Sequence, residues 1–268
     1  MMAFDERTWE TERLRHPFFG EHIDSDRYAK VWDDAAEGYE DAGVGALKEQ
    51  ISERLSDIID PGMDVLDIGC GPGTYSIYFS KRCRSVVCLD GSRKMLDRVI
   101  QANMPNIRCI EADWNTYRTD SRFDLVFSSL CPALNNPASL IKMESVARGH
   151  CAYVSSMNDD SGSLHMSIWR SFGRDYTYNG YNTNYPFHYL KGLGREPKME
   201  TFVTEEPYDL PSEEVEEKEI RSFSFFMDVD DRVRSVIHDT VQEYSDAGIV
   251  HYDGIKRLGL LIWDPVTL

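Results

Sequence analysis

The chain has 268 residues, of which 41% are hydrophobic, enough to bury one sizeable core. We therefore expect one domain with appended segments. Its 29 lysines and arginines stand against 46 aspartates and glutamates, giving a formal net charge of −17. This charge disfavours proteins that read a nucleic-acid backbone or bind an anionic membrane, because both need clustered basic residues.

The sequence also indicates the cellular compartment of the protein. The six cysteines include no C-x-x-C pair, and several lie in apolar runs, which is typical of reduced, buried thiols. The N-terminal residues carry charges where a signal peptide needs an apolar segment, and no apolar run is long enough to cross a bilayer. We expect a cytoplasmic protein without nucleic-acid or membrane partners. No spacing of His, Asp and Glu suggests a metal site.

The N-terminal segment, residues 1–45, is acidic and aromatic, and Tyr28, Trp32 and Tyr39 fall on one helical stripe. Two interpretations stay open. The helix could simply pack on the core, or it could fold as a lid over a ligand. Residues 46–60 then predict an amphipathic helix, which ends at a Pro-Gly pair.

The most informative stretch follows directly. Residues 65–68 form a short apolar run that stops at Gly69, Gly71 and Gly73, and a helical pattern begins after them. This pattern predicts a strand, a tight turn and a helix. Glycines allow positive φ and a close approach of the backbone to a ligand, and the first N–H groups of the helix point into the same space.

Two residues indicate which ligand this turn binds. In the dinucleotide motif G-x-G-x-x-G the third glycine would stand at Thr74, but here it stands one residue earlier. Asp67 places a carboxylate where a diphosphate would lie, and its charge suits an amino-acid-like cation instead. Isolated glycines would mean only a strand and a turn. The whole string VLDIGCGPGT favours binding.

Residues 85–90 predict a second strand that ends at Asp90, about 20 residues beyond the first glycine. At this offset a carboxylate commonly accepts hydrogen bonds from a ribose diol, and its two oxygens match the two hydroxyl donors. An acid that caps the next helix is the alternative, because Asp90-Gly91-Ser92 also begins a helical pattern.

These motifs resemble those of the class I S-adenosylmethionine-dependent methyltransferases of small-molecule type. VLDIGCGPGT resembles motif I, in which the acid and the glycine turn hold the methionine moiety. DGSxxML resembles the second motif, and WDxxAxxY at residues 32–39 resembles an entry helix over the cofactor. The resemblance implies the following cofactor-binding residues: Tyr28, Trp32, Asp67, Gly69, Gly71, Gly73, Thr74, Asp90, Gly91, Met95, Asp113, Trp114, Ser128 and Ser129.

The third and fourth strands are predicted at residues 107–110 and 123–130. After the third strand, the resemblance implies that Asp113 bonds the adenine amino group and that Trp114 packs on the ring. The stretch from Ser128 resembles the post-strand loop of small-molecule methyltransferases. It lacks the N-P-P-Y type sequence of enzymes that methylate nucleic-acid bases or glutamine.

The resemblance implies an α/β fold: a Rossmann-like doubly wound, seven-stranded, mostly parallel sheet with helices on both faces, plus helical lid elements. The whole chain, 1–268, is then one methyltransferase domain. We expect a helical cap at 1–45, a cofactor-binding core at 46–156, a substrate and lid region with an additional strand at 157–257, and the last strand at 258–268.

The predicted function is methyl transfer from S-adenosylmethionine to a small-molecule acceptor. A hydroxyl or ammonium acceptor needs a base, for which His150, His165 and His188 are candidates, with Tyr153 or Asp159 as weaker ones. Alternatives are a non-catalytic S-adenosylmethionine-binding protein and another nucleotide enzyme on the same sheet, such as a dehydrogenase or an aminopropyltransferase.

Overall fold

A computed structural model describes residues 6–15, 30, 32–37, 39, 45–157, 163–174, 182–224 and 226–266. Tyr28 and Asp159 lie outside these ranges. No helix in the described ranges is long and apolar enough to span a membrane.

Ten strands occur in the described part of the chain. They are β1 Asp64–Ile68, β2 Ser85–Asp90, β3 Ile107–Glu111, β4 Phe123–Ser129, β5 Ala147–Ser156, β6 Lys198–Glu205, β7 Tyr208–Pro211, β8 Ser245–Asp246, β9 Ile249–Tyr252 and β10 Ile255–Trp263. Seven of them form one sheet in the order β3-β2-β1-β4-β5-β10-β6. Only β10 runs against its neighbours in this sheet. The predicted seven-stranded, mostly parallel sheet is confirmed.

Nine α-helices have both of their ends in the described ranges, and residues 32–35 are helical as well. They are α1 Glu6–Arg15, α2 Gly45–Leu55, α3 Thr74–Ser80, α4 Arg93–Gln101, α5 Pro137–Ser145, α6 Leu164–Ser171, α7 Asn184–Gly192, α8 Ser212–Ser224 and α9 Asp231–Tyr244. Apolar residues of α2, α3 and α4 pack on one face of the large sheet. Those of α1, α5 and α7 pack on the other face. Both faces are covered, which explains why β1 and β2 are almost continuously apolar and buried.

A third hydrophobic cluster, formed by α6, α8 and α9, lies apart from the sheet. Its centre is Trp169, whose ring stacks on Phe223 with the centroids 4.5 Å apart. Strands β7, β9 and β8 form a small antiparallel sheet beside it. The sequence does not predict this small sheet, because strands of four, two and four residues show too little alternation.

A buried ion pair fixes α5 to the chain after α7. Glu144 on α5 is 6% exposed, and its Oε1 accepts hydrogen bonds from Arg195 Nε at 2.9 Å and from the Val266 backbone N–H at 3.0 Å. One carboxylate thus joins three distant parts of the chain.

We predict that Arg195→Met lowers the free energy of unfolding by about 3 kcal/mol, because it leaves the Glu144 carboxylate buried without a cation. Urea denaturation followed by far-UV circular dichroism measures the change. Adding Glu144→Gln should recover part of the loss, and Arg232→Met on the exposed face of α9 serves as the control. Equal stability of the Arg195 and Arg232 variants would contradict the prediction.

Candidate active site

The three predicted acids come together at one edge of the large sheet. Strands β3, β2 and β1, counted inward from one side of the sheet, are adjacent and parallel, so their carboxyl ends share that edge. Asp67 pairs with Cys88 near the end of β1, Asp90 pairs with Glu111 at the end of β2, and Asp113 follows β3 by two residues. The strand order reverses between β1 and β4, the position at which open α/β sheets bind ligands.

The glycine turn after β1 is shaped by packing at two positions and by open space at the third. Gly69 has φ +66°, and a Cβ there would lie 2.3 Å from Cys131 Sγ. Gly73 has φ +86°, and a Cβ there would lie 2.8 Å from a Val99 methyl. Gly71 also has positive φ, but a Cβ there would meet no atom within 4 Å. Gly71 therefore faces open space beside the acids, the cradle that a ligand needs.

Asp67 is almost completely enclosed, with 2% exposure. Its Oδ2 accepts a hydrogen bond from Ser76 Oγ at 2.5 Å. Burial raises the pKa of the Asp67 carboxyl to about 7; the Ser76 bond and the nearby Lys48 oppose this shift. The carboxyl is therefore a partly protonated group at neutral pH, and a ligand cation beside it would favour its charged form.

Asp90 lies next to the same turn and accepts two backbone hydrogen bonds. Gly71 N–H donates to Oδ2 and Ser92 N–H donates to Oδ1, each at 2.8 Å. Burial raises the pKa of Asp90, and these two bonds oppose it. The cap of α4 is Ser92, whose Oγ accepts the Met95 N–H at 3.2 Å. The capping role considered for Asp90 therefore belongs to Ser92, and each Asp90 oxygen keeps a lone pair for a ligand.

Asp113 and Trp114 occupy different environments. Asp113 is exposed, and its Oδ1 accepts from the backbone N–H and the side-chain amide of Asn115. Trp114 is only 2% exposed: its indole N–H donates to the Ser139 carbonyl, and the Lys142 ammonium lies 4.2 Å from its ring centroid. The indole is thus part of the core and presents little surface. Its assignment as an adenine platform stays a prediction.

The loop after β4 closes the other side of the crevice. Ser128 is buried, and its hydroxyl donates to the Ile68 carbonyl at 2.9 Å, which ties β4 to β1. Ser129 is partly exposed at the strand end. Burial raises the pKa of the Cys131 thiol to about 12, as expected for a packing group against Gly69 rather than a nucleophile.

The structure separates the three histidine candidates. His150 pairs with Leu125 near the amino end of β4, and its Nδ1 contacts Asp264 at 2.7 Å. It lies at the wrong edge of the sheet, so the prediction that it acts as a base is corrected. His165 belongs to the third cluster, where Nδ1 contacts Glu219 at 2.6 Å and Nε2 accepts from Trp169 at 3.0 Å.

The Nδ1 contact joins α6 to α8, and the Nε2 contact lies within α6, so both ring nitrogens of His165 are engaged and we assign it a structural role. His188 is exposed on α7 and stays a candidate.

The remaining predicted residues surround the turn. Thr74 is the first residue of α3, Gly91 faces open space after β2, and Met95 is buried in the first turn of α4. Trp32 is half-buried, and its ring lies edge-on to Tyr39 with centroids 6.1 Å apart. Their roles toward a cofactor stay predictions.

Sequence reasoning missed Ser76 and Lys48, which partly oppose the effect of burial on the pKa of Asp67. The position of Ser76 could have been predicted from the sequence, because in a strand-turn-helix unit the first turn of the helix lies close to the end of the strand. The position of Lys48 could not, since its approach to Asp67 depends on how α2 packs. In the described ranges, no group of three or more His, Cys, Asp or Glu side chains is arranged to hold a metal ion.

We predict that Asp67→Asn raises the melting temperature at pH 8 but changes it little at pH 4. A carboxyl whose pKa is raised by folding, here from 3.8 to about 7, contributes stability below pH 4 that is lost as pH rises to 7. Asparagine cannot ionise, and its carbonyl still accepts the Ser76 bond. Calorimetry at several pH values measures the difference, with exposed Asp120→Asn as the control. A pH-independent difference would contradict this explanation.

Comparison with known proteins agrees with this geometry. Residues 65–148 match the family model of a methyltransferase domain. The large-subunit ribosomal RNA methyltransferase E of Legionella pneumophila is 31% identical over 132 residues, which cover 45% of this chain and 58% of that protein. The chain spans between 34% and 58% of the length of the curated relatives it matches.

Solved structures show the same fold. A putative methyltransferase from Bacillus halodurans superimposes with a TM-score of 0.54 at 17% identity, covering 83% of this chain and 98% of that one. Magnesium protoporphyrin IX methyltransferase from Synechocystis, solved with S-adenosylhomocysteine, gives 0.51 at 15% identity, covering 89% and 93%. Residues 65–148, which carry the glycine turn and the three acids, match a methyltransferase domain, and the chain shares its fold with solved methyltransferase structures.

Proposed function

We propose that the protein transfers a methyl group from S-adenosylmethionine to a small-molecule acceptor. The observation that carries this proposal is the arrangement of three carboxylates at adjacent strand ends, around a glycine turn that is open at Gly71. The family model over the same residues supports it.

Each acid fits one part of the proposed cofactor. Asp67, enclosed behind the turn, suits the ammonium group of the methionine moiety. Asp90 has one free lone pair on each oxygen for the ribose hydroxyls. Asp113 is exposed and would accept a hydrogen bond from the adenine amino group. The three residues thus match a cationic amino acid, a diol and an N–H donor in the order in which the ligand presents them.

The chemistry demands little from the protein. S-adenosylmethionine supplies a methyl group on a sulfonium, which is already a good leaving group. The chain must hold the acceptor in line with that group and exclude water. The carboxyl ends of β4 and β5 border this space. Thr183 Oγ donates to the Ser155 carbonyl at 3.0 Å, so α7, which begins at the next residue and carries His188, starts beside it.

A small molecule is the acceptor that the composition favours. With a net charge of −17, the chain lacks the excess of basic residues that phosphate contacts need. One curated relative acts on ribosomal RNA and one structural neighbour on a porphyrin, so RNA is the acceptor class that must be tested against small molecules.

We predict that the wild-type protein binds S-adenosylhomocysteine in preference to NADH. Asp90→Ala should weaken this binding about tenfold or more, because the ribose hydroxyls lose a charged acceptor. Isothermal titration calorimetry gives both constants. Asp97→Ala removes a carboxylate from the exposed face of the adjacent helix α4 and should bind as the wild type does. Preference for NADH, or no binding at millimolar S-adenosylhomocysteine, would contradict the proposal.

Binding should also depend on pH through Asp67. The ligand ammonium is attracted to the charged carboxylate, so the affinity of the wild-type protein should fall as pH drops below about 7. If one proton is involved, the affinity should fall by at most about tenfold for each pH unit. Asp67→Asn should bind weakly at every pH, without this slope. A pH-independent wild-type affinity between pH 5 and 8 would exclude Asp67 as the ammonium partner.

Turnover distinguishes an enzyme from a binding protein. We expect the formation of S-adenosylhomocysteine from S-adenosylmethionine with members of a broad metabolite panel, and none with total RNA. Transfer to RNA would assign a different acceptor class. Tight cofactor binding without transfer to any panel member would favour a non-catalytic protein.

A further inference from the structure

Residues 32–37 and Tyr39 are fixed to the cofactor half of the domain by contacts that no sequence motif predicts. The Asp33 carboxylate accepts hydrogen bonds from Ser92 Oγ at 2.6 Å and from the Lys94 backbone N–H at 3.2 Å. It therefore adds to the cap of α4. A negative charge there is favoured by the unpaired N–H groups of the first helical turn.

A second set of contacts lies one turn further along α4. One guanidinium nitrogen of Arg98, Nη1, donates to the Ala36 carbonyl at 2.8 Å and to the Tyr39 carbonyl at 2.9 Å. Both carbonyls lie close together in this short segment, and the Ala36 side chain is only 2% exposed. Hydrogen bonds from a charged donor are stronger than neutral ones. Asp33 and Arg98 thus attach the segment at two points on the same helix.

These attachments connect directly to the predicted ribose site. Ser92 is 1% exposed and contacts both acids: its backbone N–H donates to Asp90 Oδ1 and its hydroxyl donates to Asp33 Oδ1. A movement of Asp33 would therefore act on Ser92, one of the two residues whose backbone N–H groups orient the Asp90 carboxylate. The negative charge of Asp33 is also close enough to contribute, after burial, to the raised pKa of Asp90.

We propose that Arg98 and Asp33 are positioning residues that hold residues 32–37 and Tyr39 beside the ribose end of the site and so retain the bound cofactor. This inference rests on the proposed function. It assigns the two residues no contact with the reacting atoms. Their effect is on the rate at which the ligand leaves.

The first test compares two arginines on the same helix. Arg98→Met keeps the aliphatic stem but removes both hydrogen bonds to the segment. Arg93→Met removes an exposed arginine that pairs with Asp97 on α4 itself. We expect Arg98→Met to weaken S-adenosylhomocysteine binding about tenfold, mainly through faster dissociation in stopped-flow displacement. Arg93→Met should bind as the wild type does.

Tryptophan fluorescence reports the position of the segment directly. Of the five tryptophans, Trp9, Trp114, Trp169 and Trp263 are at most 2% exposed, whereas Trp32 is half-buried within the segment. Acrylamide should therefore quench Trp32 selectively. We expect Arg98→Met to increase quenching in the ligand-free protein, and Trp32→Phe to abolish that increase.

Two substitutions of Asp33 distinguish the effect of its hydrogen bonds from the effect of its negative charge. Asp33→Asn keeps a carbonyl that accepts from Ser92 and Lys94, so it should retain the segment and bind close to the wild type. Asp33→Ala should behave as Arg98→Met does. If Arg98→Met changes neither dissociation nor Trp32 quenching, the attachment proposal is overturned while the proposed function stands. If the wild-type protein does not bind S-adenosylhomocysteine at all, the proposed function fails, and the role in cofactor retention fails with it.

Discussion

The burial of one carboxylate, that of Asp67, is the constraint on which the site depends. A charge removed from water costs free energy unless it is paired, and the Asp67 carboxylate accepts its hydrogen bond from a neutral group, the Ser76 hydroxyl. The raised pKa of this carboxyl is the direct consequence. The arrangement is unfavourable for the folded protein alone above neutral pH, and under the proposed function the ammonium group of the ligand would offset this cost. On that proposal, Asp67 exchanges stability for binding.

The position of that carboxylate follows from the topology of the sheet. Residue 67 is the next-to-last residue of β1, and β1 lies at the centre of the sheet, beside the point where the strand order reverses. Gly69 and Gly73 then let Cys131 and Val99 approach the turn closely. The backbone of the turn is therefore held from both sides by the loop after β4 and by α4. A rigid turn of this kind presents Gly71 N–H to Asp90 and leaves its open side for the ligand.

Much of the cofactor half could be predicted from the sequence because its signals are local. Apolar runs that end at glycine or aspartate locate β1 and β2, and the spacing of Asp67, Asp90 and Asp113 brings the acids together once the strands are parallel. The structure of the rest depends on contacts between distant residues. His165 and Trp114 illustrate this: their chemistry suited a base and a ring platform, but tertiary packing commits His165 to Glu219 and Trp169, and Trp114 to Ser139. No local pattern distinguishes these outcomes.

The cofactor side and the acceptor side of the proposed site are consequently formed in different ways. The cofactor side is formed by strand ends and a turn within one stretch of chain, so its geometry is nearly fixed by the sheet. The acceptor side is bordered by elements that reach the sheet from far along the sequence. Thr183 docks on Ser155 and lies against Gly259, where any Cβ would come within 2.7 Å of its Oγ1. Under the proposed function, a substitution near the start of α7 would therefore act on the acceptor side, while the three acids, which lie on other elements, keep their positions.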